Sequence, residues 1–199
     1  IIFRDSQTQK IEGPRVSDIG VQLVNEGAPM LRVWGRTRVG GALLWTFRNP
    51  GTGERFREVI TKKEEGGKGG GQKTETTTFS YNTDVAIGVS EGEIDDIEKI
   101  WANGKLLWQK GGSVRRFNDI AIQKGTETQT IDPVIEAQEG TANTPAFRGV
   151  AYFRLQKLQL ADFGNAIPQF NALVNRSFTL AEFVTQACSL AGINDIDVD

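Results

Sequence analysis

The 199 residues carry 23 Lys and Arg against 25 Asp and Glu, a net charge of −2, so no long-range field draws the chain to nucleic acid or an acidic membrane. There is no histidine and one cysteine, which excludes Ser-His and Cys-His pairs, the commonest metal ligand and any intrachain disulfide. The 38% hydrophobic content suffices for one substantial core, and no apolar run reaches the ~18 residues a membrane-spanning helix needs. The sequence opens Ile1-Ile2-Phe3, shows no signal peptide and has Met30 as its only methionine, so it is expected to be part of a longer chain.

Alternating apolar residues and frequent glycines predict a strand-rich fold. A first strand is expected over Val16–Val24, then a turn at Glu26-Gly27-Ala28-Pro29. A second strand follows over Leu31–Val39, turned by Gly40-Gly41 into a third over Ala42–Phe47 as a two-residue hairpin, with Leu43, Trp45 and Phe47 on one face. Asn49-Pro50-Gly51-Thr52-Gly53 is a turn, and Glu54–Lys62 reads as a charged strand.

Residues Glu64–Lys73 are low-complexity and cannot bury enough apolar surface to offset their chain entropy, so a mobile hairpin tip is expected. A phosphate-cradling loop is not, because neither Lys68 nor Lys73 leads into Ser/Thr and a helix. Thr74–Val89 predicts a long strand ended by Ser90-Glu91-Gly92.

Asn103-Gly104 lies between the apolar arms Ile97–Ala102 and Lys105–Trp108, the pattern of a type I′ hairpin in which both turn residues need positive φ. Arg116–Gln123 and Arg148–Leu160 are further strands. Between them Asp132 caps a short helix with Pro133 at its first position. The period then changes. Thr179 and Glu182 form a capping box, and Leu180, Phe183, Val184, Ala187 and Ala191 recur at helical spacing before Gly192. A β-rich domain over 1–178 and the start of a second over 179–199 are expected.

No residue set earns a catalytic, cofactor-binding or metal-binding role. Glu91, Glu93, Asp95, Asp96 and Glu98 lack the glycine and terminal glutamate of a calcium loop, and a solvated turn is expected. Cys188 reads as a small buried hydrophobe. Arg32, Arg36 and Arg38 share strand parity and form a candidate interface or DNA-facing row. Trp34, Trp45, Trp101 and Trp108 each sit in an apolar strand, which favours a core or subunit interface over a sugar platform.

Several segments, taken in order, resemble one family. Gly13-Pro14-Arg15-Val16-Ser17-Asp18 precedes Gly27-Ala28-Pro29-Met30-Leu31-Arg32-Val33-Trp34-Gly35-Arg36. Ser90-Glu91-Gly92 leads to Ile100-Trp101-Ala102-Asn103-Gly104-Lys105. Thr144-Pro145-Ala146-Phe147-Arg148-Gly149 precedes Leu160-Ala161-Asp162-Phe163-Gly164-Asn165-Ala166-Ile167-Pro168, and the capped helix closes the series. Their order and spacing resemble the tail-tip hub proteins of long-tailed phages and the large hub protein of gene transfer agents. Trp34 and Phe147 stand where tyrosine is usual, and Ala166 where arginine is usual.

The resemblance implies a mainly β (α+β) fold: a β-barrel-like hub domain with long hairpins, then a helix opening a second domain. It also implies a structural role without enzymatic activity or cofactor. Three copies would close the tail tube, adapt its six-fold symmetry to three-fold and gate DNA passage. Implied partners are further copies of the chain, distal tail and tube-end proteins, the tape-measure protein, tail-tip fibre or receptor-binding components and, transiently, exiting DNA. The implied locations are the virion tail tip and, during assembly, the host cytoplasm. The motif positions Gly27, Pro29, Trp34, Gly35, Trp101, Asn103, Gly104, Pro145, Arg148, Gly149, Phe163, Gly164, Asn165 and Pro168 would be structural. A carbohydrate-binding or envelope-degrading module of a tail tip is the alternative.

Overall fold

The computed structural model describes residues 8–12, 30–65, 73–113 and 116–192. The expected strand at Val16–Val24 and turn at Glu26–Pro29, with Gly27 and Pro29, lie outside them, as does most of the glycine-rich tip. The described elements are strands β1 (Thr8–Glu12), β2 (Gly35–Gly40), β3 (Ala42–Thr46), β4 (Arg57–Glu65), β5 (Lys73–Glu91), β6 (Asp96–Ala102), β7 (Lys105–Gln109), β8 (Asp119–Lys124), β9 (Val150–Gln159) and β10 (Phe170–Arg176). Helix α1 spans Pro133–Glu139 and α2 spans Leu180–Leu190.

The fold is mainly β, as expected, but the strands form two separate sheets and no closed barrel among the described residues. One sheet runs β1-β5-β9-β8, with β3 and β4 also paired to β5. The other runs β2-β10-β6-β7. Between them lies the main core. Val85, Ile87 and Val89 of β5 and Ala151, Phe153 and Leu155 of β9 meet Ile97 and Ile100 of β6 and Phe170, Ala172 and Val174 of β10. The Phe153 and Phe170 rings cross edge-on at 5.7 Å.

The opposite face of the first sheet is covered too. Ala86 and Tyr152 pack under Ile135 of α1, with Leu44, Trp45 and Phe147 alongside. Burial on both faces explains the nearly continuous apolar run Val85–Val89.

The predicted hairpin at Gly40-Gly41 does not form. β2 pairs with β10 in one sheet and β3 with β5 in the other, so the chain crosses the core at Gly41. A Cβ there would sit 2.3 Å from Ile87 and 3.3 Å from Phe170, so only glycine lets the backbone pass. A register shift between Leu43 and Trp45 also splits the expected face. Leu43 packs on the main core, and Trp45 lies on the α1 side.

The strand expected over Leu31–Val39 forms only as β2 from Gly35, whose φ of 71° breaks it from Arg32 at its isolated bridge to Glu91. The following expectations hold. β5 is a 19-residue strand. Its first half pairs with β4 on one side, and β1 runs parallel to it over Thr8–Glu12 on the other. Asn103 and Gly104 take φ 48° and 79° between β6 and β7. Asp132 caps α1 through the amides of Val134 and Ile135. Thr179 and Glu182 close a reciprocal capping box on α2. Two strands escape the sequence reading, β1 and β10, and β10 is central to the second sheet.

Candidate functional site

The residues singled out in the sequence join distant segments of the described fold to one another and dock α2 beside β10. The arginine row is engaged within the chain. Arg36 reaches from β2 across β10 to Glu98 of β6, donating through Nε at 3.0 and 3.1 Å and through Nη2 at 2.7 Å. That contact holds Glu98 below its ordinary carboxylate range and Arg36 above its own. Arg38 makes the parallel reach and stacks its guanidinium 4.1 Å above Trp101. Arg32 pairs with Glu91 at 3.5 Å beside the isolated bridge between them.

Four of the five acidic residues, all but exposed Glu93, are likewise occupied. Glu91 and Glu98 take these arginines, and Lys110 donates to Asp96. Asp95 accepts from both the amide and the hydroxyl of Ser177 at 2.6 Å, and these bonds hold its carboxyl below the usual range. Among the described residues, no three Cys, Asp or Glu side chains converge on a metal-sized site.

Asp95 thereby fixes the exit of β10, and Trp34 docks α2 beside it. The indole meets Phe178 and Phe183 edge-on, each at 5.4 Å, while Arg176 lies 4.4 Å over its face. Gly35, at φ 71°, lets the chain turn from Trp34 into β2 under Phe178. The rest of the helix's apolar face stays open. Leu180 is 76% exposed and Cys188 is half-buried, not buried as expected, because nothing among the described residues covers that face.

Replacing Trp34 by Ala is expected to release α2 while the sheets persist, since each aromatic pair is worth about 0.5–1.5 kcal/mol. Hydrogen exchange should show amides 180–190 opening about tenfold faster or more, a shift of about 1.4 kcal/mol, with β5 and β9 unchanged. Uniform loss of protection would show that Trp34 supports the whole core.

The later motifs stitch loops to strands. Asn103 does more than satisfy its turn: its backbone amide and side-chain oxygen hold the carbonyl and amide of Gln169, both at 2.9 Å, where Pro168 leads into β10. Phe163 is buried, and Gly164 and Asn165 turn the chain at φ 68° and 56°, with the Asn165 amide on the Leu160 carbonyl at 2.9 Å. The segment from Thr144 to Gly149 wraps the buried amide of Gln129. Nε2 of Gln129 donates to the carbonyls of Ala146 and Phe147 at 2.8 and 2.9 Å, and its Oε1 accepts from Gly125. Arg148 returns the contact by donating to the Gln129 carbonyl. Gly149 accepts from Gly92 at 2.7 Å, and Pro145 lines a groove beside β3.

Sequence reasoning missed the buried polar groups. Arg154, 3% exposed, donates through Nε to Asp132 and through Nη2 to Asp119, both at 2.9 Å. Burial opposes its charge, but the two carboxylates outweigh burial and hold it above its ordinary range. Asp84, fully buried, accepts from Arg57 and from the amide of Lys157. No local motif marks Gln129, Asp84 or Arg154, because each owes its role to residues distant in sequence. Alternation in β9 was the one available hint: Arg154 falls between inward-facing Phe153 and Leu155, hence on the α1 face.

No protein-family model matches this chain, and no curated protein matches it. Among solved structures it is similar to a chain of the virion of a native gene transfer agent particle, at 29% identity and a TM-score of 0.55 over 96% of its length. It spans 36% of that longer chain.

Proposed function

We propose that this chain is a structural component of a phage or gene transfer agent virion, the N-terminal hub portion of a tail-tip protein. Three copies close the tail tube, adapt its six-fold symmetry to three-fold and gate DNA passage. In this reading the two sheets form one domain through residue 178, and α2 opens the next. The observation that carries it is the similarity to a virion chain over 96% of this chain, at an identity that includes sequence as well as fold.

The motif residues support it in a second way. Trp34, Asn103, Gly149 and Asn165 hold loops and strands together instead of lining a cleft, which suits a part that must be rigid in an assembly. The indoles are committed within the chain: Trp34 under Arg176, Trp45 to Glu139, Trp101 under Arg38 and Trp108 in the core. That favours assembly over a sugar-stacking platform.

The test is the chain's position in a particle. Gold-labelled antibody against it should decorate one end of the tail, the end distal to the capsid. Label on the capsid, along the tube or only on free protein would refute the proposal.

A further inference from the structure

Beside β3 lies an open groove of about 360 Å³. Four consecutive β3 residues line it: Leu43, Leu44, Trp45 and Thr46. Leu44 and Trp45 share the α1 side across the register shift, but Leu43 packs on the main core at the opposite face, so a cavity that touches Leu43 as well reaches the strand's edge. Among the described residues β3 pairs with β5 alone, so its other edge offers backbone donors and acceptors without a strand. The far wall comes from Ile135 and Glu139 of α1, with Pro145.

The charges in the groove are unequal. Glu139 is already bonded to the Trp45 indole, Nε1 to Oε1 at 2.8 Å. Arg48 and Arg55, which also line the groove, have no carboxylate partner among the described residues. We propose that this groove accepts an extended, acidic peptide segment of a neighbouring protein as an added strand on β3. Main-chain bonds to β3 would supply affinity, apolar side chains would settle toward Leu44 and Ile135, and carboxylates would meet Arg48 and Arg55. Nucleic acid fits less well, because two guanidiniums beside an apolar wall give a backbone few phosphate contacts. The inference does not depend on the hub reading.

The probe is an end-capped hexapeptide of alternating Asp and Val, about 20 Å long when extended. Calorimetry and backbone amide shifts follow its binding to the whole chain. Shifts are expected at residues 43–46 and at Asn143, which also lines the groove, with at least tenfold weaker binding to the Arg48→Glu/Arg55→Glu variant. Two further peptides carry N-methyl groups on alternate backbone nitrogens, one on the odd set and one on the even. Strand addition uses one edge of the peptide, so one methylated form should lose at least tenfold in affinity and the other should bind like the parent. Equal binding of both forms would overturn the proposal. So would equal binding of a Lys/Val hexapeptide, tighter binding of a single-stranded oligonucleotide at the same residues, or no binding at millimolar peptide.

Discussion

Replacing Asp132 by Ala should destabilise the protein by about 3–5 kcal/mol, the range for stranding a buried charge by removing its partner. Asp132 is 1% exposed and does two things at once. Its Oδ1 caps α1 through the Val134 and Ile135 amides at 2.9 and 3.4 Å, and its Oδ2 accepts from Arg154. The variant leaves Arg154 buried with only Asp119, whose side chain is 56% exposed and so a solvent-weakened partner. It also frays α1, which covers Ala86 and Tyr152.

Asp132→Asn separates the two roles, because asparagine caps as well as aspartate but brings no charge. It should recover about 1 kcal/mol of the loss. Asp119→Ala should cost far less than either. Urea midpoints on the three variants test this. Equal losses from Asp119→Ala and Asp132→Ala would show that the exposed carboxylate, not the buried one, carries Arg154.

Gly125→Ala should cost about 3 kcal/mol or more, by a different mechanism. Gly125 sits at φ 81°, where an alanine is strained by about 1–2 kcal/mol. Its Cβ would also fall 2.7 Å from the Gly92 carbonyl oxygen and 2.8 Å from the Ala151 amide nitrogen. Both are backbone atoms, so nothing flexible can move aside. Gly92 at φ 80° and Gly149 at φ 72° are joined at the same place by a 2.7 Å backbone bond, so three strand ends meet there through glycine.

Two control glycines isolate the terms. Gly53 has φ 74° and open space around it, so Gly53→Ala should show the backbone strain alone. Gly40 has neither constraint, so Gly40→Ala should be nearly neutral. Denaturant midpoints that rank Gly125 below Gly53 below Gly40 would support the account; equal effects at Gly125 and Gly53 would remove the steric part.

What could be read from the sequence was what short-range chemistry decides. The Asn103-Gly104 turn, the Asp132 and Thr179 caps and the long alternation of β5 each depend on residues close in the chain. Strand partners were another matter. Gly40-Gly41 looks like a hairpin turn locally, and only the crowding of Ile87 and Phe170 around Gly41 shows that the chain passes between sheets there. β10 carries inward Phe170, Ala172 and Val174 with Asn171 and Asn175 on the alternate face, a period-2 pattern only five residues long, blurred by apolar Leu173 on the outward side.

The singled-out residues divide along the same line. Arg36 and Arg38 share a face of β2, but Arg32 lies before the break at Gly35, and the partners Glu91, Glu98 and Trp101 lie 59 to 63 residues away and could not be paired from spacing. The groove beside β3 was invisible for a similar reason. It exists because α1 packs beside a strand edge from 90 residues further along the chain, and Trp45 bonds Glu139 across it with a separation of 94.

The central claim is that three copies of this chain form a ring at the end of a tail tube. Electron microscopy of antibody-labelled particles, averaged at the labelled tail end without imposed symmetry, measures this directly. The account predicts three-fold density for this chain stacked on a six-fold tube. Six copies continuing the tube, or a single copy off the axis, would contradict it.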